Sequence, residues 1–274
     1  MGLISIDKDK CKKDGFCTKE CPAAIIRLKD GDGFPEVVPG GEEMCIECGH
    51  CVAVCTQGAL SHERVSLDAS PAIRKKLVLS MEQVIQFLRS RRSVRVFQNK
   101  NVERDKINAL IEIARYAPTA RNAQLLEWLV ITDRAEIKRL AGLTVDWMRH
   151  LIKTNPDDPN LRYMPRIVAA WDAGYDVVLR RAPVVVVASA PKEDNNGMVD
   201  IAIALTHLEL AAGHMGLGGC WAGLLQNAMR NWPDAKKAMN VPEGHVYHYP
   251  MMLGFPKFPY YRMPERREPK IMWR

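Results

Sequence analysis

The stretch CIECGHCVAVC, residues 45–55, contains four cysteines separated by two, two and three residues. Three thiolates spaced this closely can bind three irons of one [4Fe–4S] cluster, while the fourth cysteine reaches a second cluster. Zinc sites use cysteine pairs with longer spacers, and a disulfide framework fits poorly with the odd set of seven cysteines between Cys11 and Cys55. The spacing therefore favours iron–sulfur clusters over zinc and over disulfides.

An upstream stretch, CKKDGFCTKECP at residues 11–22, repeats this pattern with one cysteine exchanged. A single shift of the first motif onto the second places Asp14 opposite Cys48 and aligns the remaining cysteines. The aligned pairs are Cys11 with Cys45, Cys17 with Cys51 and Cys21 with Cys55. The repeat indicates two related sites, one of which has an aspartate at a ligand position. That carboxylate either ligates the fourth iron through oxygen or leaves a [3Fe–4S] cluster, and both interpretations remain open.

The repeat also assigns ligands to each cluster, because the fourth cysteine of each motif serves the other cluster. One [4Fe–4S] cluster is predicted on Cys21, Cys45, Cys48 and Cys51. The other, [4Fe–4S] or [3Fe–4S], is predicted on Cys11, Cys17, Cys55 and Asp14. Over residues 1–62 the sequence resembles bacterial two-cluster ferredoxins. The resemblance implies a small βαββαβ domain.

Charge is divided unevenly along the chain, whose formal net charge is +7. Residues 1–62 carry seven Lys and Arg against ten Asp and Glu, whereas the remaining residues carry 32 against 22. No apolar run approaches the roughly 20 residues of a membrane span, and the N-terminus lacks the apolar stretch of a signal peptide. We therefore expect a cytoplasmic protein without a membrane partner.

Beyond a linker at residues 63–79, residues 80–274 predict a larger domain. Ser80 followed by Gln83 is a capping box, which begins a helix that continues into RSRRSVRVF. Further helices are predicted over about 103–117, from Asp133 with Glu136 through about Leu151, and over 198–219. Strands are predicted at 128–132, 183–190, CWAGLL (220–225) and HVYHYPMMLGF (245–255). The mixture indicates an α+β fold with helices around a central sheet.

A basic run, RRSVR at residues 91–95, stands at the end of the first of these helices. Side-chain donors spaced in this way can converge on a single phosphate. A nucleic-acid-binding patch would interleave aromatic with basic residues, and this run contains no aromatic residue. The run therefore favours a small phosphorylated ligand over nucleic acid.

Four segments in order carry a second resemblance. RRSVRVF is followed by ARYAPTARNAQLLEWLVIT, by HMGLGGCWAGL and by a basic tail. In this order they resemble the nitroreductase family of FMN-dependent enzymes over most of residues 80–274. The resemblance implies an α+β homodimer with two flavins bound between the protomers.

The same resemblance implies roles for individual residues. The FMN phosphate and ribityl contacts would be Arg91, Arg92, Ser93 and Arg95. The loop lining the flavin would be Pro118, Thr119, Ala120 and Asn122. The backbone passing the isoalloxazine N5 edge would be Gly218, Gly219 and Gly223, where glycine suits a close approach to a flat ring. One of the tail residues Arg266 and Arg267 would supply another phosphate contact.

Several other side chains are candidates with an ordinary structural interpretation. Four aromatic residues suit either substrate contact or packing, namely Trp147, Tyr163, Trp171 and Tyr175. His207 and His214 share a helix face and are expected in the core or a dimer interface. Cys220 is expected to be a small buried residue. No pattern assigns a catalytic acid, so the catalytic residues are unknown.

Together the two modules predict an FMN-dependent oxidoreductase. Iron–sulfur clusters would feed single electrons to FMN for the two-electron reduction of a small organic acceptor, such as a nitro compound. The donor would be a low-potential protein such as ferredoxin, or NAD(P)H. An ene-reductase or a reductive dehalogenase would use the same scaffold. Two further alternatives are an electron-carrier or redox-sensing flavoprotein without its own substrate, and a basic nucleic-acid-binding protein with a structural cluster.

Overall fold

The computed structural model describes residues 2–274, which divide into two compact units. The first unit comprises Met1–Val78 and Ala120–Ala123, and the second comprises Leu79–Thr119 and Gln124–Arg274. The expected limits of the small domain at residue 62 and of the linker at 63–79 stay predictions. Each unit has an apolar core of its own, as expected of a domain.

The described part of the first unit contains four short strands and two short α-helices, besides 3-10 turns at Gly41–Met44 and Lys75–Leu77. The strands and α-helices are β1 (Ile4–Ile6), α1 (Phe16–Lys19), β2 (Ile26–Leu28), β3 (Pro35–Val37), α2 (His50–Ala53) and β4 (Leu60–His62). β1 pairs antiparallel with β4, and β2 pairs antiparallel with β3. Leu3, Ile25, Val52 and Leu60 form the core, against which the cysteines pack.

The backbone of the first unit repeats with the same period as the cysteines. α2 follows α1, and β4 follows β2, at the offset that separates Cys45 from Cys11. Each helix follows a left-handed glycine, Gly15 with φ of 71° and Gly49 with φ of 70°. Glycine suits these positions because it adopts positive φ without steric cost. The two cysteine loops therefore share one conformation as well as one spacing.

The second unit is an α+β domain, as predicted. Its helices are α3 (Met81–Ser90), α4 (Arg104–Ala114), α5 (Arg134–Thr154), α6 (Met164–Asp172), α7 (Gly197–His214), α8 (Gly223–Asn231) and α9 (Pro233–Met239). Its strands are β5 (Glu127–Ile131), β6 (Val184–Pro191), β7 (Gly218–Trp221) and β8 (His245–Gly254). These strands form one antiparallel sheet in the order β5-β6-β8-β7.

The central strand β6 is buried on both faces of this sheet. Alternate residues of a strand point to opposite faces. Val184 and Val186 belong to the cluster that packs with α4 and α7, whereas Val185 and Val187 belong to the cluster with α5 and α8. The unbroken valine run is thus explained by helices on both sides.

The helix ends confirm some predictions and correct others. Both bonds of the Ser80–Gln83 capping box are present. The Asp133 side chain accepts from the Ala135 N–H, but Glu136 pairs with Arg139 instead of completing a box. The helix predicted over 103–117 ends at Ala114, as α4.

Two glycine-containing segments differ from the predictions. The predicted helix over 198–219 ends at His214 as α7, and its last glycines, Gly218 and Gly219, begin β7. CWAGLL is a strand only as far as Trp221, because the chain turns into α8 from Gly223 onwards. None of the helices in residues 2–274 combines the length and apolar character needed to cross a membrane.

Candidate functional site

One cavity of the first unit is lined by a complete predicted cluster-ligand set. Its four cysteines are Cys21, Cys45, Cys48 and Cys51. Leu3, Ile25 and Ile26 form the apolar part of its wall. Three of the sulfurs come from the second cysteine loop and one comes from the end of the first.

A second cavity of this unit is lined by the other predicted set. Its members are Cys11, Asp14, Cys17 and Cys55. The repeat thus exchanges the fourth cysteines between the cavities, as the spacing predicts. Within residues 2–274, no group of His, Cys, Asp or Glu side chains is arranged to hold a single metal ion.

The buried thiols of the two cavities resist ionisation on their own. Burial, together with the smaller effects of the neighbouring Cys48 and Cys21, raises the pKa of the Cys51 thiol to about 11. Burial likewise raises the pKa of Cys17, with Cys55 and Asp14 adding to the effect. A bound metal centre reverses this preference, because its positive charge favours the thiolate.

Asp14 occupies the position that Cys48 occupies in the other loop. One of its carboxylate oxygens accepts from the Phe16 N–H at 3.1 Å, which supports the start of α1. The side chain is exposed on its outer side and lines the cavity on the other. The carboxylate is therefore placed beside Cys11 and Cys17, with one oxygen engaged by the backbone.

His62 belongs to the first cavity and was not predicted from the sequence. Its Nε2 lies 3.4 Å from the sulfur of Cys45, and its Nδ1 lies 3.1 Å from the backbone nitrogen of Arg64. Burial lowers the pKa of the ring. The position falls outside the cysteine motif, so the spacing of the cysteines gave no signal for it.

A cleft of about 350 Å³ in the second unit contains the predicted phosphate-binding and glycine segments. Arg91 and Arg92 line it from the end of α3, and Gly218 and Gly219 line it from β7. The apolar part of the wall is formed by Phe87, Val94, Leu217 and Phe258. This size lies within the usual range of small-molecule sites.

Arg91 is held by a buried carboxylate that no sequence pattern predicted. Its guanidinium donates to Glu209 Oε1 at 2.8 Å. The Trp221 indole N–H donates to the other oxygen at 3.1 Å. Both oxygens of this buried charge are thus satisfied, which limits the cost of burying it. A lone glutamate within the apolar helix THLELAA was the only signal for this site.

The two cleft glycines pack tightly against their own chain. A Cβ on Gly218 would lie 2.3 Å from Val94 Cγ2, and one on Gly219 would lie 3.0 Å from Met251 Sδ. At Gly223 the nearest atom would be the Tyr249 hydroxyl at 3.5 Å, which is an ordinary contact. Packing inside the domain is therefore a sufficient reason for Gly218, independent of any ligand.

The remaining predicted flavin contacts are not among the residues that line this cleft in the described part of the chain. They are Ser93, Arg95, Pro118, Thr119, Ala120, Asn122, Gly223, Arg266 and Arg267. Asn122 groups with the first unit, where its amide donates to the Ile46 carbonyl. Arg266 and Arg267 are exposed in the tail that follows β8. The single chain brings together four of the thirteen predicted positions.

The other candidates are divided between core and surface. Trp147 is buried in a core cluster, and Trp171 packs against another, whereas Tyr163 and Tyr175 are exposed. His214 lines the cleft with its ring 5.2 Å from that of Phe87. The other residues of this group have local roles. His207 bonds to the Ile203 carbonyl, and burial raises the pKa of Cys220.

Comparisons with known proteins agree with this arrangement of two units. The model of the nitroreductase family matches residues 88–255, and that of a 4Fe-4S dicluster domain matches residues 3–56. The chain therefore belongs to the nitroreductase family, whose members are oxidoreductases, and carries a 4Fe-4S dicluster domain before it.

Individual relatives resemble one unit or the other. An Archaeoglobus fulgidus protein with the provisional name NADH dehydrogenase/NAD(P)H nitroreductase is 24% identical over 65% of this chain and 87% of its own length. Polyferredoxin MvhB of Methanothermus fervidus is 32% identical over 30% of this chain and 18% of its own. A Bacteroides fragilis nitroreductase solved with bound FMN has a TM-score of 0.56 at 21% identity, covering 69% of this chain and 97% of its own. This last likeness shows the fold.

Proposed function

We propose that this protein is an FMN-dependent oxidoreductase in which two iron–sulfur clusters supply electrons for the reduction of a small organic acceptor, such as a nitro compound. The observation that carries the proposal is the cleft that joins Arg91 and Arg92 to an apolar wall, in a chain that also has two cysteine-lined cavities. When bound, the clusters supply one-electron transfer and FMN supplies two-electron transfer to the acceptor.

The cleft suits a ligand with one anionic end and one flat apolar end. Arg92, together with the free N–H groups of Arg91, offers donors in the planar geometry that a phosphate accepts. Phe87, Val94 and Phe258 give the other part an apolar surface that excludes water. The backbone of Gly218 and Gly219 carries no side chain that would obstruct a ring. These features fit FMN.

The cysteine-lined cavities suit clusters of iron and sulfide. Each cavity presents sulfur ligands from both loops, with a mostly apolar wall in the first cavity and a mixed apolar and polar wall in the second. Burial raises the pKa values of the free Cys51 and Cys17 thiols, so these side chains hold their protons more tightly than ordinary cysteines. We therefore expect cluster assembly to release protons from these side chains.

A second copy of the chain is proposed as the partner of the flavin domain. Met81, Ile85 and Leu88 recur on one face of α3 at spacings of four and three, and all three are exposed. Covering such an apolar face lowers the free energy, because apolar surface is removed from water. A homodimer would cover it, and sedimentation of the full chain tests this. Ile85→Glu should yield monomers, whereas a sedimentation coefficient unchanged by this variant would contradict the assignment of α3 to the interface.

The proposed activity is tested with the full chain purified without oxygen. We expect a visible spectrum with flavin peaks over an iron–sulfur shoulder, and release of FMN on denaturation. Reduced ferredoxin and NAD(P)H are then offered as donors with nitroaromatic, activated alkene and halogenated acceptors. Turnover of one acceptor class supports the proposal and names the substrate class.

Two results would contradict the proposal. A protein that lacks flavin after gentle purification would remove its basis. A protein whose flavin and clusters are reduced, but which turns over none of these acceptors, would be an electron carrier or redox sensor instead.

A further inference from the structure

The cavity lined by Cys21, Cys45, Cys48 and Cys51 contains one buried histidine that contacts a sulfur. His62 lies at the end of β4 with 7% of its surface exposed. Its Nε2 is 3.4 Å from Cys45 Sγ. The same sulfur lies 3.4 Å from the Glu47 backbone nitrogen, whose N–H donates to it. Cys45 is thus contacted by a side chain as well as by the backbone.

The backbone on the far side of the ring determines which nitrogen of His62 carries the proton. The Arg64 N–H donates to Nδ1 at 3.1 Å. A neutral imidazole has one acceptor nitrogen and one N–H donor. Because Nδ1 accepts, the proton of the neutral ring is on Nε2 and is directed at the sulfur. The contact is therefore an N–H···S hydrogen bond in which His62 is the donor.

At the equivalent position the other cavity has a residue that cannot donate a hydrogen bond from its side chain. The repeat places Leu28 of β2 at the position equivalent to His62, and Cys11 at the position equivalent to Cys45. Leucine has no side-chain donor, and Leu28 is 40% exposed. The two cavities thus differ in this hydrogen bond as well as in the exchange of Cys48 for Asp14.

We propose that His62 is a positioning residue that raises the reduction potential of the cluster held by Cys21, Cys45, Cys48 and Cys51, through its N–H···S bond to Cys45. This inference rests on the proposed cluster assignment. Reduction adds one electron to the cluster and its thiolates, and a donor stabilises the more negative state more strongly. The electron comes from the donor protein or an electrode, and the Nε2 proton stays on the ring.

The test is a potentiometric titration of the full chain, followed by the EPR signals of both clusters. His62→Leu removes the donor and should lower the equilibrium constant for reducing one cluster about tenfold, which is about 59 mV for a one-electron couple. The signal of the other cluster should keep its potential. His150→Leu is the matched control, because His150 is an exposed histidine on α5 of the second unit and lines neither cysteine cavity. This variant should shift neither potential.

A second measurement keeps the proposal testable if His62→Leu fails to assemble its clusters. Reduced wild-type protein labelled with 15N-histidine should show a 15N coupling to one cluster by ENDOR, and the coupling should persist in His150→Leu. Absence of the coupling, or equal potential shifts of both clusters in His62→Leu, would overturn the role of His62. Absence of cluster signals in the wild-type protein would instead contradict the cluster assignment itself.

Discussion

Lys13 and Glu47, which occupy equivalent positions in the two cysteine loops, have the same left-handed backbone φ of 55°. Residues with side chains rarely adopt this conformation, so its recurrence at equivalent positions marks a shared loop geometry. Asp14 and Cys48 each follow directly after these two residues. The aspartate therefore stands at a ligand position of an intact loop, and the loop around it has not been remodelled.

Asp14→Cys should convert its cavity into a second all-cysteine site. The EPR signal and potential of one cluster should change, while those of the other stay nearly constant, because the ligand sets are separate. Asp14→Asn is the control, since its amide oxygen still accepts from the Phe16 N–H but carries no charge. If both variants leave both clusters unchanged, Asp14 serves only the turn before α1.

Arg92→Ala should weaken FMN binding by about tenfold to a hundredfold, the loss expected for a hydrogen bond to a charged group. Fluorescence titration of the apoprotein with FMN measures the effect. Arg89→Ala, in the last turn of α3 but outside the lining of the cleft, provides the control. Equal losses from the two variants would indicate a general charge effect instead of a phosphate contact.

Glu209→Gln should destabilise the second unit by about 2–3 kcal/mol, because it leaves Arg91 without its charged partner. This is less than the usual cost of about 3–5 kcal/mol for breaking a fully buried pair, because the Arg91 side chain is 29% exposed. All six tryptophans lie in the second unit, so urea unfolding followed by tryptophan fluorescence reports on it.

A matched surface variant separates this pair from an ordinary ion pair. Glu136→Gln removes the partner of Arg139 on the outer face of α5 and should change the urea midpoint little. If the urea midpoint of Glu209→Gln lies as close to the wild-type midpoint as that of Glu136→Gln does, the Arg91–Glu209 pair contributes little to stability.

Gly218→Ala should cost about 1–3 kcal/mol, because its new methyl group would overlap Val94. Gly219→Ala should cost less, since its nearest neighbour is the flexible Met251 side chain. Val94→Ala removes the overlapping Cγ2, so the double variant Val94→Ala/Gly218→Ala should lose less stability than the sum of the single variants. If the stability losses of the two single variants simply add, contact with Val94 is not the reason that position 218 requires glycine.

His248 should make the second unit sensitive to mild acid. Burial lowers its pKa, and the nearby Lys236 and Arg230 lower it further. The unfolded chain then takes up a proton below a pH of about 6.5 that the folded state does not. The contribution of His248 to stability is therefore fully present above that pH, and it is lost as the pH drops towards the lowered pKa of the folded state. Urea midpoints at high and low pH should differ less in His248→Gln, and an unchanged difference would exclude His248 as the cause.

Local patterns in the sequence predicted those parts of the structure that depend on neighbouring residues. The Ser80–Gln83 box, the valine strand and the cysteine repeat each follow from short-range chemistry. The Arg91–Glu209 pair joins residues 118 positions apart, and no local pattern encodes such a contact. The end of β7 at Trp221 likewise depends on the length of its pairing with β8. The His62–Cys45 bond requires the folded strand β4 to face the second cysteine loop.

The Glu209 carboxylate that holds Arg91 also affects the rate and the affinity with which the cleft binds an anion. A free arginine side chain loses rotamer freedom when it binds, which reduces affinity. Here Glu209 and Trp221 already hold one edge of the guanidinium, and Trp221 is itself steadied by an edge-to-face contact with Tyr249 at 4.9 Å. Much of that ordering is completed when the domain folds. The cleft therefore meets its ligand with a preorganised cation.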